Sequence, residues 1–134
     1  MRNTITVQLL LLISLTCHAQ PPSAQSIQWN VSGLTDLKAD TVQNYESSII
    51  TYQKEKIVWV QKKREDTFVV NALQENWNDV NASGSIKYNV SIAGQTGTLA
   101  VVREGSLIEI TLAMTNTAGK QLEYKFMVES FQAL

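Results

Sequence analysis

At 134 residues the chain has room for one domain. Its formal charge of −1 leaves no basic footprint for nucleic acid or for an anionic membrane surface. Its one cysteine and one histidine, Cys17 and His18, both fall in a leader, so no Ser-His-Asp triad, Cys-His pair or thiolate or imidazole metal site can be assembled beyond it.

The leader reads as a secretory signal peptide over residues 1–19. Arg2 supplies a short basic start. Ile5 to Leu15 is an apolar core interrupted by Thr6, Gln8 and Ser14, too short to span a bilayer. Cys17-His18-Ala19 puts small residues at the two positions a signal peptidase reads, and cleavage is expected after Ala19. The rival is a lipoprotein signal that keeps a lipidated Cys17, although Ser14 and Thr16 stand where that pattern carries Leu and Gly, Ala or Ser. Either way the protein is expected to be exported, periplasmic or extracellular. Without the leader the charge is 10 Lys+Arg (11 less Arg2) against 12 Asp+Glu, or −2. No disulfide can then form within the domain, and its core alone must hold it together.

Residues 20–26, rich in Pro, Ser and Gln, are expected to be a disordered lead-in to a domain over 27–134. Ile27, Trp29 and Val31 alternate with Gln28 and Asn30 and predict a first strand. Gly33 to Ser47 shows no period of two and reads mostly as loop, with Thr35-Asp36 capping a turn of helix that carries Leu37. Strands follow around Ile50 and Tyr52, around Ile57 and Trp59, and around Phe68, Val70 and Ala72. Gln74 to Ser83 is a polar connection holding Trp77. From Gly84 to Phe131 the alternation is plain. Ile86, Tyr88, Val90 and Ile92 form one apolar row, Leu99 and Val101 a second, Ile108 to Met114 a third, and Leu122 to Val128 a fourth. Glycine-containing joints of hairpin length separate them.

The tally is eight strands, at about 27–32, 48–53, 56–62, 67–73, 84–92, 96–103, 106–114 and 121–131. An open sheet of that width would leave edges for other chains to pair with, and closure removes them. The expected fold is therefore all-β, an eight-stranded antiparallel up-and-down barrel, with a two-sheet sandwich as the alternative. In the last hairpin the shortest loop predicts Ile110 opposite Tyr124 and Glu109 opposite Lys125, an opposite-charge cross-strand pair.

A tryptophan in the first strand (Ile27-Gln28-Trp29-Asn30-Val31), an irregular span, then seven strands in hairpin order resembles the lipocalin-like barrels, closest to short secreted bacterial forms. Ile27 stands where that family usually carries glycine. The resemblance implies a calycin-type barrel that binds a small molecule. Separately, Ser83-Gly84-Ser85-Ile86-Lys87-Tyr88 is similar to the inhibitory loop of periplasmic C-type lysozyme inhibitors, also small barrels. That similarity implies that Ser83 would reach an enzyme's catalytic acid and Tyr88 would support the loop.

The remaining chemistry is sparse. Asp36, Asp40, Glu75 and Asp79 are read as solvated loop acids. Lys54, Lys56, Lys62, Lys63 and Arg64 cluster at two hairpin tips that could share one rim. Asn30, Asn81 and Asn89 head sequons that read as chance in an Asn- and Ser-rich chain. No cofactor, metal or catalysis is expected. The leading expectation is an exported, monomeric binding module for a small apolar or amphipathic molecule, lined by Tyr52, Trp59, Phe68, Tyr88 and Tyr124. The alternative is a protein-binding module, an enzyme inhibitor or accessory subunit, engaging its partner through Trp77, Ser83 and Tyr88. Neither involves nucleic acid or a transmembrane segment.

Overall fold

A computed structural model describes residues 20–134, so the expected signal peptide over 1–19 and the Cys17 alternative lie outside the described residues. Eight strands follow one another: β1 (Ser26–Asp36), β2 (Thr41–Tyr52), β3 (Lys56–Val60), β4 (Glu65–Asn76), β5 (Gly84–Ile92), β6 (Gln95–Glu104), β7 (Leu107–Thr115) and β8 (Gln121–Ala133). Each pairs antiparallel with the next, and β1 pairs with β8 to close the barrel. The sandwich alternative is thereby excluded.

Alternation explains which way each strand faces. Ile86, Tyr88 and Val90 of β5, Leu99 and Val101 of β6, and Ile108, Ile110, Leu112 and Met114 of β7 are all buried in the interior. Lys87 and Asn89 stand exposed between them. An apolar inside and a polar outside is the reverse of a membrane-spanning barrel, whose outer band is apolar.

In a meander, successive turns lie at opposite ends. One end holds both ends of the described chain, the Gln53–Glu55 turn, the 77–83 connection and the 105–106 turn. The other holds the turns at 37–40, 61–64, 93–94 and 116–120. Lys54 and Lys56 therefore sit at one end and Lys62, Lys63 and Arg64 at the other, so the single basic rim anticipated from sequence does not form.

The span from Gly33 to Ser47 is strand, not loop. β1 continues to Asp36 and β2 begins at Thr41. A β-bulge between Val31 and Gly33 shifts the register. The inward row thus passes from Ile27, Trp29 and Val31 to Leu34, and the period of two breaks although the strand does not. No helical turn forms at Thr35-Asp36. Instead the Asp36 carboxylate accepts from the Lys38 and Ala39 N–H groups, both at 3.0 Å, and shapes a tight turn.

The lead-in is also ordered. Pro22–Ala24 forms a 3-10 turn in which Pro22 and Ser23 are buried. The Ser23 N–H and hydroxyl both donate to the Glu75 carboxylate, at 3.0 and 2.7 Å. The Gln20 carbonyl accepts from Val80 N–H at 3.3 Å. The segment thus caps one barrel end, and its proline content reflects a rigid turn rather than disorder.

The last hairpin takes a register two residues from the expected one. Ile110 faces Phe126, Leu112 faces Tyr124 and Thr111 faces Lys125. The inward faces survive a shift of two, as strand periodicity requires. Asn116 decides the shift. Its side chain accepts from the Ala118 and Lys120 N–H groups, and its own N–H donates to the Lys120 carbonyl. That closes the loop over 116–120 and sets Thr115 against Gln121. Glu109 and Lys125 still meet, diagonally, at 3.0 Å.

Candidate functional site

The two barrel ends are built from different side chains, and one of them is filled. Trp29 lies wholly buried with its Nε1 donating to the Thr51 hydroxyl at 3.1 Å. Phe131 packs on it at 5.4 Å between ring centroids. From the other side Trp77 stacks at 6.0 Å, its Nε1 donating to the Ala82 carbonyl at 2.8 Å. Arg103 lies over Phe131 and donates to the carbonyls of Val80 and Gly105, binding the 77–83 connection to the barrel.

The other end is open. A cavity of about 440 Å³ enters the barrel there, within the range of small-molecule sites. Its apolar lining comes from Leu34, Trp59, Phe68, Ile92, Leu112 and Met114, with Leu122 and Tyr124 nearer the mouth. Trp59 is the centre of an aromatic group. Tyr45, Tyr124 and Phe126 meet it edge-on at 6.3, 6.4 and 5.0 Å. Its Nε1 donates to the Ser47 hydroxyl at 3.1 Å, which leaves the indole polar edge satisfied and its ring against the cavity.

One wall of the mouth is polar. The Tyr45 hydroxyl donates to Gln61 Oε1 at 2.6 Å, and Gln61 Nε2 donates to Asp66 Oδ2 at 3.0 Å. Arg64 reaches the same carboxylate oxygen through Nε at 3.1 Å and Nη2 at 2.8 Å. The Asp66 carboxylate raises the Arg64 pKa by hydrogen bonding and charge. Cation and anion cancel within this wall, while the Gln43 and Gln95 amides add uncharged donors and acceptors to the rim.

Of the five residues expected to line a ligand site, the structure brings together Trp59, Phe68 and Tyr124. Tyr52 lies outside the cavity. It pairs with Lys56 at the filled end, half-buried, with the ammonium 4.9 Å above its ring. Its neighbour Thr51 takes the inward position, so Tyr52 must point out. Tyr88 is inward but fully buried deeper in the barrel, away from the cavity lining. Burial pushes its pKa well above the ordinary phenol value, with the nearby Thr51 side chain opposing part of that shift, and its hydroxyl makes no hydrogen bond of good geometry.

Of the partner-binding set only Ser83 is exposed. Trp77 is 2% exposed and cannot serve as a surface anchor. Ser83 is exposed, and its hydroxyl accepts from Gly105 N–H at 3.0 Å within a polar surface cleft that includes Asp79 and Arg103. Tyr88 is buried in the barrel interior. Among the described residues, no group of three or more His, Cys, Asp or Glu side chains is gathered to hold a metal ion.

The residues that sequence reasoning missed are Leu34, Gln43, Tyr45, Gln61, Arg64 and Asp66. Two of them were within reach of the same rule that found the others. Gln61 continues the inward row two residues beyond Trp59, and Asp66 precedes Phe68 by two. Both are polar, and an inward row defined by apolar residues alone stops short of them.

Comparison with protein-family models, with curated proteins and with solved structures finds no match to this chain.

Proposed function

We propose that this protein is an exported, non-catalytic binding module of the lipocalin-like kind, taking a small apolar or amphipathic molecule into the open end of its barrel. The observation that carries the reading is the cavity of about 440 Å³ with Trp59, Phe68, Leu112 and Met114 on its walls and polar side chains confined to its mouth. Such a site holds an apolar body by burial and orients it by a few hydrogen bonds at one end. The protein-partner reading loses its aromatic anchor, since Trp77 is packed beneath the barrel end.

Trp59 supplies the test. Trp29 and Trp77 lie in the filled end, so an apolar ligand entering the cavity touches only the third tryptophan. Titration of the secreted protein with an uncharged apolar fluorophore such as N-phenyl-1-naphthylamine is expected to give saturable energy transfer from tryptophan. The transfer should fall by more than half in Trp59→Phe and persist in Trp29→Phe. Native mass spectrometry should find the complex at one probe per chain. An absence of saturable binding, or transfer that survives Trp59→Phe unchanged, overturns the reading.

A further inference from the structure

The cavity does not end at its own mouth. A second recess of about 410 Å³ shares Gln95, Leu122 and Tyr124 with it and is otherwise lined by Asp36, Lys38, Asn116, Lys120 and Gln121. Two turns build it, and the closure of the barrel brings them side by side. Asp36 at the end of β1 pairs with Tyr124 of β8, and Leu37 N–H donates to the Glu123 carbonyl at 3.0 Å. Lys38 from the first turn and Lys120 from the last loop are thus set on one recess.

The charges of the two compartments differ. In the cavity Arg64 is neutralised by Asp66 at 2.8 Å. In the recess the Lys38 ammonium donates to the Gln121 amide oxygen at 3.2 Å. Neither Lys38 nor Lys120 belongs to an ion pair among the described residues. The one acid present, Asp36, has its Oδ1 taken by two backbone N–H groups of its own turn. Two cations against one engaged carboxylate leave the recess net positive, directly beside an apolar cup of neutral lining.

We infer that cup and recess form one site for an anionic amphiphile, its apolar body against Trp59 and Phe68 and its carboxylate or phosphate head between Lys38 and Lys120. This rests on the ligand-binding reading above and adds the sign of the head group. An ammonium head would meet like charge at the recess, and an uncharged head would leave both lysines unused. The lysines are exposed, so each contributes what a surface ion pair does, with the strength falling as salt rises.

Dodecanoate, dodecyl phosphate, dodecanol and dodecyltrimethylammonium, all below micelle formation, are titrated into the secreted protein by displacement of the fluorophore at low salt. Both anions are expected to bind about three- to tenfold tighter than dodecanol, with the ammonium weakest. In the double variant Lys38→Gln/Lys120→Gln the anions lose that advantage while dodecanol is unchanged. Both substitutions are on exposed turns, and an unaltered melting temperature checks the fold. Dodecanol binding as tightly as the anions, or an anion preference that survives the double variant, overturns the inference while leaving the apolar site standing. Failure of all four probes to bind removes the site itself.

Discussion

Gly84→Ala is the sharpest test of how the filled end is held. Gly84 opens β5 directly against the Trp77 ring. A methyl group there would overlap Trp77 Cγ and Cδ1 and lie 2.8 Å from its Cβ. The ring has little room to retreat, being tied to the Ala82 carbonyl at 2.8 Å and stacked on Trp29. Overpacking a core costs about 1–3 kcal/mol, and losing a buried tryptophan from its slot about 3–5 kcal/mol. The variant should lose about 3 kcal/mol, where the two ranges meet. For a domain this size that lowers the melting midpoint by roughly 10–15 °C. Urea unfolding followed by circular dichroism measures it, alongside Trp77→Ala and the double variant. Trp77→Ala alone should cost about 3–5 kcal/mol. In the double variant the methyl group has no ring to strike, so the loss should stay close to that of Trp77→Ala. The two changes should therefore miss additivity by about 2–3 kcal/mol. Additive losses, or a Gly84→Ala protein within about 0.5 kcal/mol of the parent, would refute the close packing of Trp77 on Gly84.

Two further predictions concern buried polar groups. Tyr88→Phe removes a hydroxyl that is buried without a partner and should be neutral or stabilising by up to about 1 kcal/mol, and a loss of more than that in urea unfolding would mean the hydroxyl is bonded. Because burial raises the Tyr88 pKa in the folded state, its contribution is full below the unfolded value of about 10 and is lost as pH rises through the folded one. The parent should therefore destabilise in alkali more steeply than Tyr88→Phe, and equal slopes above pH 10 would contradict this. Ser23→Ala removes the hydroxyl bond to Glu75, with an expected cost of about 1–2 kcal/mol. Faster hydrogen exchange confined to the first residues of the barrel should accompany it, and unchanged exchange there would show that the cap is held by other contacts.

The fold was legible wherever a strand had one apolar face and no bulge. From Gly84 to Phe131 the alternation of Ile86, Tyr88 and Val90 with Lys87 and Asn89 gave the β5 face directly. It failed where local geometry intervened. The bulge before Gly33 moved the inward row onto even numbers, and the exposed start of β2 offered no apolar row at all. The register of the last hairpin turned on the Asn116 side chain, which periodicity does not weigh. The Glu109–Lys125 pair was a poor guide because long side chains also meet diagonally. The site was half legible. Trp59, Phe68 and Tyr124 followed from inward aromatic positions, but alternation says which residues face in and not which end they occupy. Tyr88 shares their inward direction but lies deeper than the cavity. At Ser83-Gly84 the structure adds a constraint that alternation does not carry, the close approach of the Trp77 ring to Gly84.

The placement of the aromatic residues accounts for why one end is sealed and the other is not. An empty, enclosed space of about 440 Å³ would cost about 10 kcal/mol at roughly 24 cal/mol per Å³, as much as a whole domain's stability. A barrel of this size can therefore keep such a space only if water enters it, and the mouth beside the turns at 61–64 and 93–94 provides that entry. The opposite end has no such access and must be filled. Trp29, Trp77 and Phe131 meet there, brought from β1, the 77–83 connection and β8. Stability is thus concentrated at the end remote from the cavity. Substitutions at the mouth, such as Gln43, Gln95 or Arg64, alter groups that already face solvent or one another. They can change what the cup accepts at small cost in folding, whereas the same change at Trp29 would open the sealed end.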